Sequence, residues 1–208
     1  MPDETAEKQE KETGRLEAFS DGVFAVAITL LVLELKVPHL DAGHIFSRAL
    51  ASELVKQWPG YFAFVTSFFT VLIMWVHHHV IFKLVRKSDV HLLFANGFLL
   101  LMVTAVPFST AVLTEYLGTP AARTACTLYA GTFVLIAVAF YLVLMSAFRP
   151  AMIDPAAPAQ TIARLRRDYR MGPPAYLAAT VAAPFSPWFS LAICTGLWIF
   201  WAVTTRDC

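Results

Sequence analysis

An all-α integral membrane protein with six transmembrane helices is the fold class this sequence predicts, and three observations predict it. Of the 208 residues, 58% are apolar and only 15% charged, and mean hydropathy is +0.61, far from the composition of a soluble globule. Long apolar runs recur along the chain with short polar connections between them. Finally, the 16 Lys and Arg residues are unevenly placed: with six crossings, twelve fall at one set of helix ends and four (Lys36, Arg48, Lys56 and Arg123) at the other. The richer side is read as cytoplasmic, with both termini on it.

The first span, 15–36, organises the rest. Its 22 residues reach about 33 Å at the helical rise, enough for a hydrocarbon core of about 30 Å. Asp21 lies six residues, about 9 Å, inside Arg15. An ionisable side chain at that depth is costly and faces a partner or water, which makes Asp21 a functional or assembly candidate. Turned by 100° per residue, Phe19, Val26, Leu30, Leu33 and Val37 form one uncharged stripe with Thr29 to one side. Periodicity alone suits a face turned to lipid or to another helix.

Residues 1–13 carry five acids and two lysines with no apolar centre, the reverse of a signal peptide, and read as a short disordered cytoplasmic tail ahead of a single membrane domain, 14–208. Residues 38–57 read as an external loop. The second span runs over 59–82, with Pro59 in its first turn. The third covers 90–114, kinked at Pro107, and the fourth 124–148. Residues 149–170, rich in Pro, Ala and Arg, read as a solvated connection with an amphipathic turn over 162–169. Prolines at 173, 174, 184 and 187 then divide the remainder into a fifth segment, 175–183, and a sixth, 188–204. The fifth is short, so a re-entrant segment competes with a full crossing.

Polar chemistry gathers at one end. His77, His78 and His79 close the second span, but consecutive helical residues point about 100° apart, so they cannot converge on a metal without ligands from other helices. Hydrogen bonds to neighbouring helices or water are the simpler expectation, and no metal site is expected. Trp75 shares a helix face with His78 and His79, and Asn96 sits at the same level of the third span. Arg15, Ser20, Asp21, the histidines and Asn96 therefore predict a polar network, with Arg15 or a histidine as counter-charge for Asp21. An Asp21–histidine proton relay is the alternative, in a proton-coupled transporter.

Several classes are excluded. Cys126, Cys194 and Cys208 show neither disulfide nor zinc spacing. No phosphate-cradling glycine loop, nucleophile–base pair or catalytic carboxylate pair is present, so neither an enzyme nor a nucleic-acid binder is expected, and no cofactor. No internal repeat suggests a two-half transporter.

Arg15-x-x-x-Phe19-Ser20-Asp21-Gly22, followed by VFAVAITLLVLEL, resembles the signature of the transmembrane protein 175 family, in its bacterial single-repeat form. Trp75, the histidine cluster and the basic loops are similar along most of the chain. The resemblance implies a leak-type potassium channel in which four copies assemble and the first helix of each lines a central pore. It implies an apolar constriction at Val26, Leu30 and Leu33, with Thr29 at a position tied to ion selectivity. The motif residues Arg15, Phe19, Ser20 and Asp21, with Trp75, His77, His78 and Asn96, would then serve assembly. One departure is Val26, where the family carries isoleucine or leucine. The partners so implied are three further copies of the chain, potassium ions and the bilayer. One copy offers one such helix, so conduction demands an oligomer. With no Thr-Val-Gly-Tyr-Gly filter and no ring of acids, an apolar constriction that gates by dewetting is what remains.

Overall fold

A computed structural model describes the backbone of residues 4–40 and 46–204, and the side chains of those from residue 13 onward. Lys8, Lys11, Arg206 and Cys208, used above for charge and cysteine placement, lie outside the described side chains.

Among the described residues the named elements are all helices, with one isolated antiparallel bridge, Val85–Ile153, between connections. Helix α1 (Glu4–Leu30) tightens into a 3-10 turn at Leu31–Glu34. Its backbone reaches back to Glu4, into the stretch expected to be a disordered tail; Glu, Ala, Lys and Gln there are strong helix formers. Helix α2 (Ser47–Lys56) occupies the segment read as a plain external loop and buries nothing. Leu50, Leu54 and Val55 are exposed on it, so its apolar face contributes nothing to the core, and hydropathy gave it no signal. Next come α3 (Trp58–Lys83), α4 (Val90–Thr104) and α5 (Val106–Tyr116). The expected kink is a break at Ala105 with Pro107 in the first turn of α5, because a proline ring cannot take the helical N–H···O bond. Helix α6 (Ala122–Ala147) is central, packing on α3, α4, α5, α7 and α8.

Helix α7 (Ala159–Ala182) corrects two readings. The basic stretch 159–170 is helix rather than solvated connection, and Pro173 and Pro174 lie inside that helix rather than dividing it. Leu165, Tyr169, Gly172, Tyr176 and Ala179 are buried at helical spacing, a continuous inward face, while Pro174 is exposed on the other side. Packing thus holds the helix through two residues that break isolated ones. Gly172 lies on that inward face, where a Cβ would come into ordinary contact, 3.5 Å, with Ala137 and Trp201.

Helix α8 (Pro187–Thr204) closes the bundle. Its start stacks Trp188 on Trp58 at the head of α3, and its end brings Trp201 to His77 at the tail of α3. Helix α7 therefore travels from the basic end of the bundle to the opposite end and does not turn back. At that opposite end Lys36 pairs with Glu115, which fastens the exit of α1 to α5. Glu115, with the Lys36 ammonium beside it, holds that amine above its ordinary pKa. Among the described residues five segments, Thr13–Glu34, Trp58–Lys83, Val90–Tyr116, Ala122–Ala147 and Pro187–Thr204, are long and apolar enough to cross a membrane. Helix α7 has the length, about 36 Å at 1.5 Å per residue, but not the uninterrupted apolar composition.

Candidate functional site

In a bilayer, burying one apolar helix face on another gains little over lipid contact, so packing and interhelical hydrogen bonds decide how α1 docks. Its inward face is Phe24, Ala27 and Leu31, each at most 1% exposed, set against α3, α4 and α5. The opposite face is bare in the single chain: Val26 is 55%, Leu30 42% and Leu33 71% exposed, with Phe19 and Thr29 exposed beside them. Thr29 returns its hydroxyl proton to the Val26 carbonyl at 2.9 Å, so its polarity is settled within the helix.

At the basic end a polar chain ties α1 to α3 and α4. His78 Nε2 lies 2.9 Å from Asn96 Oδ1, Asn96 Nδ2 donates to Ser20 Oγ at 2.9 Å, and Ser20 Oγ donates to the Leu16 carbonyl at 2.8 Å. The three side chains are fully buried. Donor and acceptor roles are then forced: an amide oxygen can only accept, so the His78 proton sits on Nε2. Phe24 and Phe82 pack on the His78 ring, at 5.4 Å and 4.2 Å between centroids.

One helical turn away, Trp75 Nε1 donates to Asp21 Oδ1 at 2.8 Å. His79 stacks on Trp75 with rings 16° from parallel, and its Nδ1 lies 2.5 Å from Glu17 Oε1. Ser20, Asn96 and His78 thus share one hydrogen-bonded chain and Asp21 and Trp75 another contact, while Phe19 lies on the bare face and Arg15 and His77 are placed elsewhere. Arg15 is exposed and is not the counter-charge of Asp21, whose hydrogen-bond partner among the described residues is the Trp75 indole. Arg15 lies six residues, about 600° of helical turn, before Asp21, which puts the two about 120° apart around α1. His77 points 100° from His78, into the α7–α8 side, where Nε2 contacts the Trp201 carbonyl at 3.2 Å and the ring meets Tyr169 and Trp201 edge-on. No hydrogen bond joins Asp21 to a histidine among the described residues. No three His, Cys, Asp or Glu side chains among them converge as metal ligands.

Sequence reasoning missed Glu17, and it missed a second polar cluster deeper in the bundle. There Thr110 Oγ1 donates to Ser67 Oγ at 2.8 Å, and Ser67 Oγ is 3.0 Å from the Tyr129 hydroxyl, joining α3, α5 and α6. It also missed Asp89, which caps α4 through Leu92 N–H at 2.9 Å and is held by Arg149 Nη2 at 2.7 and 2.8 Å. The Arg149 guanidinium, and after it the backbone N–H, pull the Asp89 carboxyl down to about 2.

A multi-span helical membrane protein, its first helix clamped by buried polar bonds at one end and bare along an apolar outer face, is the class that fold and site define. The family model for the endosomal/lysosomal potassium channel TMEM175 matches residues 15–107, which include Glu17, Ser20, Asp21, Trp75, His78, His79 and Asn96. A potassium channel of Chamaesiphon minutus is 45% identical over 199 residues, covering 95% of this chain and 97% of the relative. A potassium channel of Streptomyces collinus is 44% identical over 159 residues, 74% of this chain and 75% of the relative. Among solved structures, that of a lysosomal potassium-selective channel TMEM175 homologue from Chamaesiphon minutus superimposes with a TM-score of 0.84, at 45% identity, over 94% of this chain and 98% of that one. The chain belongs to the TMEM175 family.

Proposed function

We propose that the chain is one subunit of a potassium-permeable leak channel, a homotetramer whose α1 helices surround a central pore. The observation that carries this reading is the split of α1 into two faces. The docked face and its polar clamp fix the helix to its own subunit, while the uncharged face of Val26, Leu30 and Leu33 is left 42–71% exposed by the described residues of that subunit. A lone helix cannot enclose a path, so four such faces around an axis make the constriction, with Thr29 beside it. The 45% identity to a potassium channel over nearly the whole chain supports potassium as the permeant ion. Each subunit then crosses the inner membrane six times, α7 making the crossing that its composition hides, with both termini cytoplasmic. No cofactor enters this reading, and it is not an enzyme.

Ion flux from liposomes holding the purified full chain tests it. Potassium efflux under a gradient is expected, and it rises in Leu30→Ala and Leu33→Ala, which widen the apolar ring. Potassium-tight liposomes, or variants with unaltered flux, reject the pore.

A further inference from the structure

We propose that a groove at the basic end of each subunit, between the end of α6, the 149–158 loop and the first half of α7, binds an anionic phospholipid. The groove measures about 1050 Å³, the scale of a ligand cleft rather than of an ion site. Arg166, Arg167 and Arg170 line it, and Phe148, Ile153, Ile162 and Met171 supply its apolar wall. The spacing puts these on one flank of α7: Ile162, Arg166 and Arg170 follow one another at i+4, and Arg167 is followed by Met171 at i+4.

Charge in the groove is unbalanced. Arg166 donates to the Phe148 carbonyl at 2.6 Å and Arg167 to Asp168 at 3.0 Å, while Arg170 is exposed with no ion-pair partner among the described residues. Asp154 is the one acid in the lining, and its Oδ1 already accepts the Ala156 N–H at 2.8 Å. Like charges four residues apart repel on a bare helix, and a phosphate between them reverses the sign.

Position selects a lipid over a soluble anion. From Met171 through Ala182, α7 carries no charge, whereas 164–170 carries four arginines against one acid, Asp168, so the groove sits where hydrocarbon meets headgroups. Met171 is 63% exposed at that boundary. The wall is also built rather than loose. Arg86 N–H donates to the Met152 carbonyl at 2.8 Å and Asp154 N–H to the Leu84 carbonyl at 3.0 Å, pinning the 149–158 loop beside the α3–α4 junction. This site does not depend on whether the chain conducts.

Native mass spectrometry of the full chain, titrated with dioleoyl-phosphatidylglycerol or dioleoyl-phosphatidylcholine, reads the site directly. The wild-type chain is expected to retain phosphatidylglycerol about tenfold better, the scale of one charge-assisted bond. Arg167→Gln with Arg170→Gln abolishes that preference, while Arg123→Gln at the opposite end keeps it. Equal retention of the two lipids by wild type overturns the proposal. So does an unchanged preference in the double variant, or displacement of the lipid by inorganic phosphate, which marks a soluble-anion site.

Discussion

The Trp75 indole N–H points at Asp21 Oδ1 from 2.8 Å, and that one bond joins the membrane-embedded acid of α1 to the middle helix of the site. Any oxygen acceptor of the same shape preserves it. Asp21→Asn is therefore expected to keep the thermal midpoint of the detergent-solubilised protein close to wild type. Trp75→Phe removes the donor and strands the carboxylate, at a cost of about 0.5–2 kcal/mol for an interhelical bond in a membrane protein. An Asp21→Asn chain that fails to assemble would show that the charge, not the acceptor, is what the site needs.

Asn96 has both ends of its amide committed, the oxygen toward His78 and the nitrogen toward Ser20. Asn96→Ala opens both bonds and leaves Ser20 and His78 without a partner on α4, so it is expected to destabilise by about 1–3 kcal/mol. Ser20→Ala breaks only one of them. Because the two residues share a bond, their effects should be less than additive, which a double-mutant cycle by thermal unfolding measures. Full additivity would mean the Ser20–Asn96 bond contributes nothing.

Much of this site was legible in the sequence because Asp21, Ser20 and Asn96 interrupt apolar runs, and a polar residue in hydrocarbon must have a partner. Which partner was not legible. By sign, Arg15 or a histidine suits Asp21 as counter-charge, yet the turn of α1 carries Arg15 away, and a neutral indole rather than an imidazole donates to the carboxylate. His77 and His78 look alike in sequence and serve different helices because neighbours on a helix face different ways. Ser67, Thr110 and Tyr129 gave no signal, since a hydroxyl in an apolar helix can satisfy itself on its own backbone, as Thr132 does on the Leu128 carbonyl. Helix α7 was hidden by its arginines and prolines, whose local preferences are overridden by the buried face that Tyr169, Gly172 and Tyr176 present to α6 and α8.

Asp89 connects pH to stability. Its folded carboxyl titrates at about 2 against an ordinary 3.8, so the folded state binds the proton less readily than the unfolded chain. Its contribution is fully present above about pH 4 and is lost as pH falls through about 2. Asparagine caps a helix as well as aspartate does, so Asp89→Asn removes the Arg149 pair and leaves the cap to Leu92. Thermal midpoints taken from pH 5 down to pH 2.5 are expected to fall more steeply for wild type than for Asp89→Asn. Asp89→Ala loses the cap as well, about 1 kcal/mol more at every pH. Parallel curves for wild type and Asp89→Asn would mean the Arg149 pair does not stabilise the fold.

Val26 offers the most direct probe of the proposed constriction. It stands one turn before Leu30 on the bare face of α1, 55% exposed, and it is smaller than the leucines that follow it at that face. In the proposed tetramer, Val26→Leu adds a methylene from each subunit at one level of the pore. A narrower, oilier ring dewets more readily, so potassium flux into liposomes is expected to fall severalfold while the assembled particle keeps its size on gel filtration. The substitution leaves Phe24 and Ala27 on the docked face untouched, so stability is expected to hold within about 0.5 kcal/mol. A face turned to lipid would instead accept the leucine with no change in flux, because in that arrangement the added methylene meets only acyl chain.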